Sequence, residues 1–315
     1  MIKATFAPAF ALVGALALMS AGGAQAASKT SSCNRACLEG TMTRYLDAMV
    51  KHDPAAAPLA KTVRFTENGI DLAPGEGFWK TIDGLGTYRQ NVLDVRAHQS
   101  GAYLVAMEGG KPVLFAVRLR VENRQITEIE TQVSHSNAEA GGWEIEKLVK
   151  ADPRMTYVPK GKERMSRAEL VRIAMMYPQG LRAAKSFVAD PDLPMIEAAY
   201  RRENGMTTGG PDSTRGAGTK NMKTQNLFIA GGRPNFQARV VAVDEDLGIV
   251  WTRVSWRRPA AVVNGVTGPA RRFVAFEAFK VYDGKLHAAE AFLRFEPLEN
   301  TGGWGVGAPD PLPAD

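Results

Sequence analysis

The chain has 315 residues, 45% hydrophobic and 23% charged, with 39 Lys and Arg against 33 Asp and Glu for a formal charge of +6. This is the composition of an ordinary globular protein, and its basic residues interleave with acidic ones, which argues against a nucleic-acid binder with a concentrated basic face. The length fits two domains of ~150 residues each.

Residues 1–26 read as a removable secretory signal. Met1-Ile2-Lys3 is a short basic start, residues 6–19 form an apolar run, and Ala24-Gln25-Ala26 is the small-x-small pattern of a cleavage site. The run is shorter than the ~20 apolar residues that span a bilayer. Thr30-Ser31-Ser32-Cys33 lacks the leucine-led start of a lipid-anchor motif. Cleavage removes one charge, Lys3, and takes +6 to +5. The expectation is an exported protein, periplasmic or secreted, with no membrane attachment after cleavage.

The only cysteines are Cys33 and Cys37. On a helix that spacing sets the Cα atoms ~6 Å apart, which a disulfide can span, and export allows oxidation. A local disulfide is the favoured reading. The alternatives are a metal site, poorly served by two Cys without nearby His, or two thiols with no role.

Leu38, Met42, Tyr45, Leu46 and Met49 recur at helical spacing, which predicts a helix over 36–52, closed by Asp53-Pro54. A short helix is expected around Pro58-Leu59-Ala60, then a strand over 63–69 ending in Glu67-Asn68-Gly69. Gly75-Glu76-Gly77-Phe78-Trp79-Lys80 reads as a turn into a short helical piece. Strands are predicted over 102–107, 113–121 and 126–135. In the second of these Val113, Phe115, Val117, Leu119 and Val121 share a face opposite Arg118 and Arg120. Residues 141–165 look like a linker, with Gly141-Gly142, Asp152-Pro153 and Pro159-Lys160-Gly161.

Ser166-Arg167-Ala168-Glu169 matches a capping box and opens a helix carrying Leu170, Ile173, Ala174, Tyr177 and Leu181, with Pro178 inside it. The order of the first half then repeats. Glu203-Asn204-Gly205 echoes Glu67-Asn68-Gly69, strands follow over 248–256, 272–282 and 286–295, and Glu290 stands where Glu130 stands. A duplicated domain follows from this order, with residues 206–225 a mobile loop and residues 299–315 an irregular tail. The expected fold class is α+β: two tandem domains, 33–140 and 166–298, each a curved, mostly antiparallel sheet packed on helices.

These landmarks resemble the SnoaL-like branch of the nuclear-transport-factor-2-like superfamily, and within it a group of secreted domains. The matching residues are Arg64-x-Thr66-Glu67-Asn68-Gly69, Gly75-Glu76-Gly77-x-Trp79 and Ile126-Thr127-Glu128-Ile129-Glu130-Thr131. In the second half they are Ser166-Arg167-x-Glu169-Leu170 and Arg202-Glu203-Asn204-Gly205. The resemblance implies that each of the two tandem domains is cone-shaped, with helices closing over the bent sheet and a pocket inside the cone. It also implies an activity within a set of cofactor-independent isomerases, dehydratases and cyclases, alongside members that only bind ligands. Some relatives remove formaldehyde from lignin-derived diaryl compounds.

Acid–base work in a dry pocket needs a carboxyl or imidazole of shifted pKa and a second polar group to hold the substrate oxygen. Glu67, on the strand face of Val63 and Phe65, is one candidate, with Asn68 beside it to hold the substrate, while the recurrence of Glu-Asn-Gly in both halves favours a turn cap that bonds backbone amides with Asn68. His135 ends an apolar strand face and suits proton transfer near neutral pH, though a strand-end His also suits plain surface. Glu130 is a further acid. Arg118 and Arg120 can pair with acids across the sheet, most simply as solvated salt bridges. Tyr45, Trp79 and Tyr103 can stack on a ring substrate or simply fill the core. Glu277, between Phe273 and Phe279 on one strand face, is a candidate for a perturbed pKa. Four dispersed His argue against a metal site, and no nucleotide or cofactor motif is present. The expected partner is a small aromatic or hydrophobic molecule, with a homo-oligomer open. The two function readings are a cofactor-independent lyase or isomerase, and a non-catalytic ligand-binding or assembly module.

Overall fold

The computed structural model describes residues 33–140, 142–183, 193–224, 235–263 and 266–300, with Met1 and Trp304. The signal segment, apart from Met1, and most of the tail lie outside these residues.

The first helix, α1 (Arg35–Val50), starts where Asn34 accepts a hydrogen bond from Cys37 N, and it buries Leu38, Met42, Tyr45, Leu46 and Met49. Cys33 and Cys37 are disulfide-bonded across its first turn. A 3-10 turn at Pro54–Ala56, capped by Asp53, leads directly into β1 (Leu59–Glu67). The short helix expected around residue 59 is therefore strand. Asn68 and Gly69, both at positive φ (49° and 78°), turn the chain into β2 (Ile70–Leu72). After a 3-10 piece at Gly77–Lys80 come β3 (Ile82–Asp94), β4 (Gln99–Glu108), β5 (Lys111–Glu122) and β6 (Gln125–Ser134). The sheet order is β2-β1-β6-β5-β4-β3. Only β1 and β6 run parallel.

The connection holds α2 (Asn137–Ala140), α3 (Pro153–Thr156) and two 3-10 turns. It is tied down by buried Lys280, whose Nζ donates to Tyr157 O at 2.5 Å and to Leu247 O. The capping box then forms as its sequence predicts: Ser166 N donates to Glu169 Oε2 at 3.1 Å and Glu169 N to Ser166 Oγ at 3.3 Å. It opens α4 (Arg167–Ala183). The second sheet holds β7 (Met195–Glu203), β8 (Met206–Gly209), β9 (Gln237–Asp244) and β10 (Ile249–Arg258). A hairpin of β11 (Ala261–Val263) and β12 (Val266–Gly268) precedes β13 (Arg271–Tyr282) and β14 (Lys285–Glu296). Its order, β8-β7-β14-β13-β10-β9 with β7 parallel to β14, reproduces the first sheet strand for strand. Part of the loop expected over 206–225 is thus strand β8 and short 3-10 turns.

Each half is an α+β cone. α1 packs on one face of the first sheet over Phe65, Phe115, Leu119 and Ile129. α4 packs on the second over Val250, Phe279 and Leu293. A third core joins the faces turned away from the helices: Tyr88, Tyr103 and Leu114 of the first sheet meet Tyr200, Trp251, Phe276 and Phe292 of the second. The approach is close. A Cβ on Gly101 would stand 2.2 Å from the Trp251 ring.

Paired clamps border this interface. Asp94 accepts two bonds from Arg167, at 2.9 and 2.6 Å, and one from Val243 N at 2.8 Å. Asp244 accepts two from Arg35, at 2.7 and 2.9 Å, and one from Leu93 N at 3.0 Å. The described residues from Cys33 onward accordingly form one compact unit. No helix among the described residues is long and apolar enough to cross a membrane.

Candidate functional site

In the first cone, Glu67 ends β1 on the face of Phe65. Its Oε1 and Oε2 accept from Phe78 N at 3.1 and 3.0 Å. Gly77, at φ 63°, makes this possible, since a Cβ there would lie 2.5 Å from Glu67 Oε1. Burial pushes the Glu67 carboxyl up to about 7, against the pull of the Phe78 N–H and of His135 and Arg294. Tyr45, fully buried, is pushed well above the ordinary tyrosine value by burial and by the Glu67 charge. Its hydroxyl and Trp79 Nε1 have no hydrogen-bond partner among the described residues. The two rings meet edge-on at 5.1 Å. His135 sits at the rim, its Nε2 3.2 Å from Glu108 and its Nδ1 3.4 Å from Glu139, with its ring 6.3 Å from that of Phe78.

The second cone carries a denser cluster. Leu170 and Tyr177 lie on α4 at the spacing of Leu38 and Tyr45 on α1, and all four are buried. Arg201 on β7 donates to Glu203 Oε1 (Nε at 3.0 Å) and to the Tyr177 hydroxyl. Arg201 Nη2 lies 2.8 Å from Glu203 and 3.3 Å from Glu277 Oε1. That last contact is an ion pair without hydrogen-bond geometry, so Glu277 Oε1 has no hydrogen bond. Burial raises the Glu277 carboxyl to about 7; Arg201 opposes the shift and Glu203 adds to it. Where the first cone places apolar Phe65 and Val117, the second places Arg201 and Glu277.

The structure thus gathers Glu67, Tyr45, Trp79, His135 and Asn68 at one end of the first cone. Asn68 holds the turn there, with its Oδ1 accepting from Val133 N at 2.9 Å. Glu130, Arg118 and Tyr103 lie on the opposite sheet face, between the halves. Glu130 takes Arg118 at 2.9 Å and Arg239 at 2.7 Å, with Arg253 at 3.7 Å. Burial alone would raise its pKa, but the three guanidinium groups hold it down at about 2. A carboxyl kept ionised and enclosed by cations is no proton shuttle. Arg118, only 3% exposed, is a buried partner of Glu130 and Glu128 rather than a solvated surface pair. Tyr103 donates to Glu290 O at 3.2 Å and meets Trp251 edge-on. Its place is the inter-sheet core. Glu290 accepts there from Tyr200 at 2.5 Å and Arg202 at 2.8 Å.

Composition and strand periodicity do not single out Tyr177, Arg201 and Glu203 as site residues. The signal in the sequence is the recurrence of Tyr45 as Tyr177 on matching helix faces. Elsewhere, an open cleft of about 800 Å³ over β1, β6 and β5 of the first sheet is walled by Trp304 and the charges of Arg64, Arg120, Glu122 and Glu128. Among the described residues no three His, Cys, Asp or Glu gather as a metal set.

A two-cone α+β protein with a buried carboxyl and a tyrosine in each cone is the class these features define. Residues 163–293 match a family described as a domain of unknown function, DUF8021. No curated protein matches the chain. Among solved structures, a designed protein with a curved β-sheet is 20% identical, covering 32% of this chain and 88% of its own, with a TM-score of 0.28. An NTF2-like protein of unknown function from Cytophaga hutchinsonii is 12% identical, covering 31% and 89%, with a TM-score of 0.24. A steroid delta-isomerase from Pseudomonas aeruginosa is 13% identical, covering 31% and 80%, with a TM-score of 0.25.

Proposed function

We propose that the chain, once exported, binds a small hydrophobic or aromatic molecule within a cone and acts on it by acid–base chemistry, as a lyase or isomerase. One feature common to both cones supports this, with the two carboxyls at different positions, since Glu203 is the positional counterpart of Glu67. Each cone holds a buried carboxyl raised to about 7, Glu67 or Glu277, near the tyrosine of its own helix, Tyr45 or Tyr177. A carboxyl poised near neutrality can take a proton and return it. Each tyrosine is held protonated by burial and so can donate to a substrate oxygen. In the second cone Arg201 adds a fixed positive charge for a developing oxyanion. None of these steps draws on a metal or organic cofactor.

One concrete version is formaldehyde loss from a lignin-derived diaryl compound. The carboxylate takes the proton of the terminal hydroxyl, and the adjacent carbon–carbon bond breaks to release formaldehyde. The freed electron pair forms the alkene, and the benzylic oxygen departs with a proton from the acid. A second reading, a ligand-binding or assembly module without turnover, draws on one observation that speaks against chemistry in the first cone. Tyr45, Trp79, Phe78 and Phe115 fill the first cone, and the Phe78 N–H already engages both Glu67 oxygens.

The test is incubation with a panel of aromatic dimers, followed by mass spectrometry, for wild type, Glu67→Gln and Glu277→Gln. Wild type should form product, and at least one variant should lose ~10²-fold or more of the rate while keeping its circular dichroism. Equal rates in all three would end the acid–base assignment. Binding without product in wild type would select the second reading.

A further inference from the structure

Each half ends in an arm that crosses to the other. Beyond β6, residues 142–144 run against the Asn204-Gly205 turn of the second half. Glu144 N donates to Asn204 O at 3.0 Å, and Asn204 Nδ2 donates to Gly142 O at 3.1 Å. A Cβ on Gly205 would stand 2.2 Å from Glu144 O. Beyond β14, Asn300 and Trp304 meet the corresponding turn of the first half. Asn300 Nδ2 donates to Asn68 O at 3.1 Å, and Trp304 Nε1 donates to Thr66 Oγ1 at 2.6 Å. The Arg64 and Arg118 guanidinium groups lie 4.2 and 4.5 Å from the centroid of the indole. The sequence repeats with the contacts: Gly141-Gly142-Trp143 follows β6, and Gly302-Gly303-Trp304 follows β14. What each arm grips is the neighbourhood of an acid. Thr66 and Asn68 flank Glu67, and Asn204 follows Glu203, the partner of Arg201.

We infer that Asn300 and Trp304, which follow the second half, are positioning residues for Glu67, the acid of the first half. The inference rests on the reading of the cones as acid–base sites. Its geometry depends on no substrate. Glu67 is the last residue of β1, and the chain turns sharply at Asn68 (φ 49°). Pinning both neighbours fixes where its carboxyl meets the Phe78 N–H, with His135, Arg294, Glu108 and Tyr45 around it. Hydrogen bonds and guanidinium–indole stacking are strong enough to hold such a strand end.

The experiment follows the carboxyl titrations of Glu67 and Glu277 by NMR, with ¹³C-labelled glutamate. It compares wild type, Trp304→Ala, Trp304→Phe and a chain ending at Glu299. Trp304→Ala and the shortened chain should move the Glu67 midpoint by about half a pH unit or more toward the ordinary carboxylate value, as burial loosens. The Glu277 midpoint should stay put. Trp304→Phe keeps a ring but loses the N–H, and should fall between. An unmoved Glu67 midpoint in Trp304→Ala overturns the inference, as does a lowered melting temperature with both midpoints unmoved. If Glu67 moves as expected while Glu67→Gln and Glu277→Gln keep full turnover, the proposed function fails and the positioning role stands.

Discussion

Glu277 and Glu130 are both buried, at 2% and 5% exposure, yet their surroundings drive them in opposite directions. Glu277 has one guanidinium contact, at 3.3 Å, and that guanidinium is shared with Glu203. Burial wins, and its carboxyl rises from 4.5 to about 7. The folded state therefore binds this proton more tightly than the unfolded chain does. The associated stability is fully present below pH 4.5 and is lost as pH rises through 7, on the order of 3 kcal/mol across the window. Glu277→Gln imitates the protonated form. It should flatten this share of the pH dependence and melt higher than wild type at pH 8, with little difference at pH 4.5. Thermal melts at the two pH values check it.

Glu130 has the reverse sign. Three guanidinium groups hold it at about 2, so its stability is present above pH 4.5 and is lost as pH falls toward 2. Glu130→Gln strips the counter-charge from Arg118, Arg239 and Arg253. Removing one partner of a buried ion cluster costs about 3–5 kcal/mol. We expect a loss of that size at pH 7 by urea unfolding, shrinking in acid.

At the scale of elements, the helices and the strands with a clean period were legible. Leu38, Met42, Tyr45 and Met49 mark α1, and Val113, Phe115, Val117 and Leu119 mark β5. β3 was not legible. Its register shifts between Ile82 and Gly84 and again between Leu85 and Arg89, and such irregularities destroy the two-residue period. Its Gly84, Gly86 and Asn91 are also poor strand formers. The site was half legible for a related reason. β4 and β13 are buried on both faces, so polarity alternation cannot say which face looks into a cone and which meets the other sheet. That is why Tyr103 reads as a pocket residue while lying in the interface; Arg118 and Glu130, on the polar faces of β5 and β6, lie there because those faces are buried against the second half. Glu67 was readable because Asn68-Gly69 fixes the end of its strand. The turn at Gly77 completes that site, and its left-handed backbone and 2.5 Å clearance leave no room for a Cβ. Gly77→Ala should destabilise by about 2 kcal/mol or more. It should also shift the Glu67 titration, because the Phe78 N–H moves with it.

At the scale of the molecule, the two halves are joined more like one domain than like beads on a linker. Their sheets share an apolar core, and Asp94 and Asp244 exchange backbone and arginine contacts across it. Both aspartates are buried, at 1% and 0% exposure, and each neutralises an arginine from the N-terminal end of the opposite half's helix. Asp94→Asn weakens the contact with Arg167, leaves buried polar groups poorly matched and should cost about 3–5 kcal/mol. If the halves were independent, that loss would separate unfolding into two steps, with the damaged interface yielding first. The shared core predicts otherwise. Exposing either half's inner sheet face strips apolar area from both, so neither half gains by holding its fold alone. Circular dichroism and tryptophan fluorescence should therefore give one coincident urea transition in wild type and in Asp94→Asn, at a lower midpoint in the variant and with an unchanged slope. Asp244→Asn should match it, because it breaks the corresponding clamp. Two resolved transitions in either variant would mean that the halves hold their folds separately and that the clamps merely dock them.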